Sequence, residues 1–217
     1  MTQKSMGLLL AGFDYSPVHE DEFNDWYDTE HIPERQRVAG FINCERWIGA
    51  ENPKIAIATY DLQTLDVLKS EAYRAIAGEN LSPWSKRVTS RTKRVCRFEA
   101  EQWSPGNQAA PVRASGLMMY AMNVATEAEA DFNAWYDEEH IPQLSAVPGC
   151  LLARRFRIVT AASEGRQRYL ALYHLAESDV CSSEKWKKAA NTEWTAKMRP
   201  HFRDGLRIVL RRYERSD

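Results

Sequence analysis

Phe23 to Pro33 reads FNDWYDTEHIP, and Phe132 to Pro142 reads FNAWYDEEHIP. The phrases start 132 − 23 = 109 positions apart in a chain of 217 residues, half its length. Comparing Phe23–Arg46 with Phe132–Arg155 without gaps gives 12 identities in 24 positions, more than chance supplies. Similarity continues more weakly: YDLQTLDVLKSEAY from Tyr60 is answered by YHLAESDVCSSEKW from Tyr173. A repeat of this length is a whole domain, too long for a solenoid unit. Between the copies, WSPGNQAAPVRA (Trp103 to Ala114) gathers Pro105, Gly106 and Pro111 among small and polar residues and reads as a linker. The expected division is 1–102, a linker at 103–114, and 115–217.

Each copy predicts the same element order. An apolar strand (8–13; 117–123) leads into the WYD helix, which acidic residues precede as suits a helix N-terminus. Gly40 or Gly149 ends that part. Two strands follow (41–48 and 55–62; 150–158 and 168–175), then a helical stretch with Trp84 or Trp194, then a closing strand (94–99; 207–214). The order βαββαβ predicts a ferredoxin-like unit, an α+β fold with a four-stranded antiparallel sheet and both helices on one face. The bare face of such a sheet must be buried. The expectation is therefore two ferredoxin-like repeats packed sheet to sheet as an intramolecular α+β barrel.

Bulk composition narrows the function. A hydrophobic content of 44% with 27% charged residues is ordinary for a soluble globular protein, and a formal net charge of −1 offers no field to attract nucleic acid or an anionic membrane. The arginines of RTKRVCRFE from Arg91 and those from Arg203 to Arg215 read as solvated faces. Cys44, Cys96, Cys150 and Cys181 are far apart with no C-x-x-C pair, so they read as reduced thiols. The apolar MGLLLAGF near the start has its counterpart in mid-chain GLMMYAMNV, so both read as first strands and the expected location is cytoplasmic.

On a helix turning about 100° per residue, Phe23, Trp26, Tyr27 and Glu30 share one stripe, while Asn24, Asp28 and His31 share the next. Phe132, Trp135, Tyr136 and Glu139 repeat the first stripe, and Asn133, Asp137 and His140 the second. Ile32 precedes Pro33, which disfavours helical geometry there and predicts a break or kink just after His31. The histidine would then stand at a helix end beside orphan carbonyls and a carboxylate, a setting that favours imidazolium and tunes it near neutrality.

Histidine, carboxylate and tyrosine hydroxyl make an acid–base set for moving a proton on a bound organic molecule. The candidate catalytic residues are thus His31, His140, Asp28, Asp137, Tyr27 and Tyr136. Trp26, Trp135, Glu30, Glu139, Arg46 and Arg155 are the candidate substrate-binding residues, Arg46 and Arg155 either anchoring a substrate anion or pairing with Glu30 and Glu139. The alternative is a clasp, with the aromatics in the core and Asp28–His31 tying the helix end to the next strand. Asp28 or Glu30 with His31 gives two ligands per helix and no H-E-x-x-H, so no metal is expected. Haem ligation by His31, His140 or His174 has no attachment motif behind it. Arg37, Ala39 and Asn43 stand where the second copy has Ala146, Pro148 and Leu152, so one pocket could be active and the other filled.

The phrase W-Y-D-x-E-H-I-P followed by V-x-G, with a strand carrying Arg46-Trp47 or Arg155-Phe156, resembles the dimeric α+β barrel superfamily, nearest to its EthD-like members, as a tandem fused version. The resemblance implies a cleft between sheet and helices that holds an aromatic or polyketide-like substrate, with His31 or His140 doing acid–base work. It implies a cofactor-independent isomerase, cyclase, lyase or monooxygenase acting on a small aromatic or cyclic molecule. A metabolite-binding accessory protein or a haem protein are the alternatives. Sheet edges and outer helices leave room for a homodimer.

Overall fold

Leu8 and Leu10 point to one side of the first strand, and Leu9 and Phe13 to the other, and all four are buried. Side chains alternate across a strand, so burial on both faces demands apolar cover above and below. The computed structural model, which describes residues 4–159 and 162–215, provides it. The strands are β1 (Gly7–Asp14), β2 (Phe41–Gly49), β3 (Ile55–Leu62), β4 (Lys93–Ser104), β5 (Gly116–Val124), β6 (Cys150–Ile158), β7 (Tyr169–Leu175) and β8 (Phe202–Arg212). They form one closed barrel in the order β1-β3-β2-β8-β5-β7-β6-β4, and each strand pairs antiparallel with both neighbours.

This corrects the expected fold. Two ferredoxin-like βαββαβ repeats, each with its own open sheet packed against the other, are not what forms. One continuous sheet closes on itself with the helices outside. The seams are β2 with β8, where Trp47 is opposite Arg212 and Gly49 opposite Leu210, and β4 with β6, where Ala100 is opposite Ile158 and Ser104 opposite Arg155. The physical reason is the cost of an open edge, a row of unpaired N–H and C=O groups that closure removes. Trp103 and Ser104, at the start of the 103–114 segment, lie within β4.

The barrel interior is filled by Leu8, Leu10, Trp47, Phe98, Met119, Phe156, Leu172 and Leu210 among others. One buried polar group joins it: Arg154 Nη1 donates to Asp61 at 2.8 Å, and Arg154 Nε to His174 Nε2 at 3.2 Å. Outside, α1 (Glu20–Trp26), α2 (Ile32–Gln36), α3 (Glu71–Arg74) and α4 (Pro83–Arg91) serve the first half of the chain. The helices of the second half are α5 (Glu129–Trp135), α6 (Ile141–Ser145), α7 (Glu184–Ala190) and α8 (Glu193–Met198). Each set seals its own outer core, one around Phe23, Trp26 and Tyr60, the other around Phe132, Trp135 and Tyr173. Gly40 and Gly149 return the chain to β2 and β6 at φ +97° and +91°, a region costly for any residue with a Cβ.

Of the break or kink expected just after His31, the helix shows a local distortion and no break. Tyr27–His31 and Tyr136–His140 are π-helical turns, and the helix continues through Ile32 and Ile141 in right-handed geometry. The amide of Ile32 reaches back five residues to the Tyr27 carbonyl, and that of Ile141 to Tyr136. The widened turn accommodates the next residue, a proline without an N–H, so the helix bulges instead of stopping. No helix among the described residues is long and apolar enough to cross a membrane.

Candidate functional site

In a π turn, residues five apart share a face, and this decides where the histidines go. His31 leaves the Asp28 stripe and packs on the buried face, its ring 4.3 Å from Trp26 and 5.0 Å from Tyr27 between centroids. His140 does the same with Trp135 at 4.2 Å and Tyr136 at 5.2 Å. Neither ring makes a hydrogen bond among the described residues, and both Nδ1 atoms are buried without a partner. The expected pairing with Asp28 or Asp137 is absent because arginine takes both carboxylates.

Arg46 Nη1 donates to Asp28 at 3.1 Å and Nη2 to the Asn24 side chain, while the guanidinium lies 4.6 Å over the Tyr27 ring and 3.7 Å over Tyr213. Arg155 repeats this with Asp137 at 2.6 Å, Asn133 at 2.9 Å, and the Tyr136 ring at 4.3 Å. The arginines therefore pair with Asp28 and Asp137, not with Glu30 and Glu139. Each pins its helix to the barrel wall, with a planar cation spread over aromatic faces.

Glu30 and Glu139 are clasps. Glu30 accepts from Ser82 Oγ at 2.6 Å and Ser85 Oγ at 2.9 Å, and Ser85 Oγ also accepts from Trp26 Nε1 at 2.9 Å. Ser82 is the N-cap of α4. In the second half, Thr192, the N-cap of α8, donates to Glu139, and Trp135 Nε1 donates to Thr195 at 3.1 Å. Trp26, Glu30 and their counterparts thus lock the last helix of each half against the bulged one.

The histidines face two different cavities. His31 lines one of about 570 Å³ with Leu9, Phe13, Arg35, Tyr60, Tyr73 and Arg94, among others. His140 lines one of about 320 Å³ with Trp135, Tyr136, Leu144, Trp186 and Phe202. Of the other expected residues, only Trp135 and Tyr136 border a histidine cavity. Trp26, Tyr27, Asp28, Asp137, Glu30, Glu139, Arg46 and Arg155 stand behind the walls.

The electrostatics reverse the expected protonation. Burial, then the charges of Arg35, Arg94 and Arg46, hold His31 well below its ordinary 6.5. Burial, helped by Arg155, brings His140 down to about 3. Both rings favour the neutral imidazole, because burial beside arginines and away from the carboxylates disfavours an imidazolium. Burial also keeps the Tyr60 hydroxyl protonated, well above its usual range, and that hydroxyl has no partner.

His174 lies inside the filled barrel, held by Arg154, and is closed to any axial-ligand role. Among the described residues no three His, Cys, Asp or Glu side chains are grouped to hold a metal ion. Sequence reasoning missed Arg35, Arg94, Tyr60 and Tyr73 as cavity residues. For Arg35 a signal existed: EHIPER in the first phrase becomes EHIPQL in the second, with Leu144 in its place.

Comparison with known proteins places this geometry. Residues 117–211 match a family model described as a domain of unknown function (DUF4286). Among curated proteins, none matches the sequence. An anthrone oxidase-like protein superposes with a TM-score of 0.67 at 10% identity, covering 98% of this chain and 93% of its own. A Fusobacterium nucleatum protein carried as a candidate monooxygenase gives 0.66 at 9%, covering 99% and 94%. A mutant chlorite dismutase from Candidatus Nitrospira defluvii gives 0.63 at 8%, covering 98% and 93%. At these identities the likeness shows a shared fold and no reaction.

Proposed function

We propose that the protein is a small-molecule enzyme that moves a proton on an aromatic or cyclic substrate bound in the first cavity, with His31 as the acid–base group. The observation that carries this reading is an imidazole with no protein partner lining a cavity of about 570 Å³ with aromatic walls. Burial and the nearby arginines favour the neutral form of His31, which keeps a ring nitrogen free to take a proton while lowering its basicity. The arginines that raise the energy of its imidazolium make it pass the proton on rather than keep it. Tyr60, buried and protonated, donates a hydrogen bond to the oxyanion that forms on the substrate as the proton leaves. No added cofactor enters this step, which fits an isomerisation, cyclisation or elimination. The fold shared with an anthrone oxidase-like protein and a candidate monooxygenase supports a small-molecule enzyme by analogy only.

Hydrogen–deuterium exchange tests the proposal directly. A panel of cyclic ketones, lactones and phenols is incubated in D2O with the protein, and loss of the C–H signal beside the carbonyl is followed by NMR. Exchange should occur for at least one member, fall by about 100-fold or more in His31→Gln, and persist in His140→Gln. Equal exchange in His31→Gln, or none across the panel with wild type, would refute it.

A further inference from the structure

Arg35 is 4% exposed and only half used. One nitrogen, Nη1, donates to the His31 carbonyl at 3.1 Å and to Glu34 at 3.3 Å, while Nε and Nη2 have no partner among the described residues. Glu34 meets Arg35 through Nη1 alone, at 3.3 Å. Neither free nitrogen is among the sealed, unpartnered polar atoms, so both are open to solvent and can be taken by a planar anion, which a guanidinium fork matches with two parallel hydrogen bonds. Arg35 lines the first cavity, as do His31 and Tyr60, whose hydroxyl has no partner.

Of the other arginines in the lining, Arg74 is exposed, and Arg97 and Arg94 are engaged elsewhere. Arg97 is taken by Glu99 at 2.6 Å and by the Ala162 carbonyl at 2.8 Å. Arg94 stacks 4.2 Å over Phe13 and is held loosely by Glu164 at 3.4 Å, leaving it to add positive potential. Four arginines against two glutamates line the cavity, so it carries excess positive charge. Its remaining wall, with Leu9, Phe13, Leu68 and Tyr73, is apolar or aromatic and suits a ring rather than an inorganic ion. In the second cavity Leu144 stands where Arg35 does, and the arginines there, Arg199 and Arg207, are exposed at the mouth.

We propose that the ligand of the first cavity is an aromatic or alicyclic carboxylic acid, its carboxylate gripped by the open fork of Arg35 and its ring laid beside His31 and Tyr60. Arg35 is thus the specificity-determining residue, and the second cavity, with Leu144, has no equivalent grip. This rests on the reading of the His31 cavity as the substrate site. Bound carboxylate also offsets the positive field of Arg35 and Arg94 around His31, easing the arrival of a proton there.

Benzoate and benzamide are the probes, the same ring and shape with and without the charge. Both are titrated by NMR into wild type, Arg35→Leu (the second cavity's own residue) and Arg35→Lys, following the ring signals of His31 and His140. Benzoate should shift His31 but not His140 and bind wild type on the order of tenfold more tightly than benzamide. Arg35→Leu should erase that preference, and Arg35→Lys, charged but without the fork, should fall between. If Arg35→Leu does not fold, Arg35→Lys decides, since an undiminished preference there would overturn the fork. Equal binding of both probes at His31 would overturn the carboxylate while leaving the cavity as a binding site. No shift of His31 with either probe would overturn the carboxylate and the site together.

Discussion

At the residue scale, the histidines govern how stability responds to acid. His140 has a folded pKa of about 3 against an ordinary 6.5, and burial lowers His31 and His174 as well. Above pH 6.5 neither the folded nor the unfolded chain protonates these rings. Below it the unfolded chain binds protons that the folded chain refuses, so stability falls as pH drops, and for His140 the fall continues toward pH 3. Each such histidine adds about 1.4 kcal/mol per pH unit to the slope. Replacing His140 with Gln should therefore flatten the dependence of unfolding free energy on pH, between about pH 4 and pH 6, by close to one proton. Urea titrations at several pH values measure this, and an unchanged slope would mean that His140 is protonated freely in the folded state.

At the element scale, the bulged helix is held from both sides. Arg46 and Arg155 tie it to the barrel, and the Trp26–Ser85–Glu30 and Trp135–Thr195, Glu139–Thr192 contacts tie it to the last helix of its half. Ser85 is fully buried and serves Trp26 and Glu30 at once. Ser85→Ala leaves a buried indole N–H without an acceptor and the half-buried Glu30 carboxylate short of a donor, a loss of about 1–3 kcal/mol. Amide exchange should quicken first in α4, ahead of β3 and β4. Wild-type protection of α4 in this variant would show that the clasp does not hold it. The helical wheel failed here for a specific reason. At about 100° per residue His31 falls beside Asp28, but one π turn rotates it onto Trp26, and nothing short of the proline in EHIP marks that turn in the sequence.

At the scale of the whole molecule, the barrel interior joins unequal halves. Glu45 and Asp61 project inward from the first half, Arg154 and His174 from matching places in the second, and Asp61 pairs with Arg154 at 2.8 Å, both almost wholly buried. Arg212 of β8 reaches Glu45 at 3.0 Å beside the β2–β8 seam. Two copies of the first half would set acid against acid. Arg154→Met strands Asp61 inside the barrel and should cost about 3–5 kcal/mol, whereas Asp61→Leu with Arg154→Met should recover a large part of that loss. Urea unfolding of the two single variants and the double variant completes the cycle, and strict additivity would mean that the pair does not act as a unit. Among the described residues every strand has a neighbour on each side, though β2 pairs with β8 only over Trp47–Gly49, so little sheet edge is left for self-association by strand pairing.

The sequence by itself placed six strands to within one residue and the two closing strands to within five, because alternation is a local consequence of what must be buried. It marked the two EHIP histidines as the residues to follow, and the structure puts each on the wall of a cavity. Local pattern does not say whether sheet edges pair across halves, and two open sheets and one closed barrel share the same alternation. Nor does it report protonation, since the field at His31 comes from Arg35, Arg46 and Arg94 on three different elements. Closure, the rotation of the histidines away from their carboxylates, and the half-used guanidinium of Arg35 all arise from contacts between residues distant along the chain or from a bend in helix register. Only the folded molecule brings those into being.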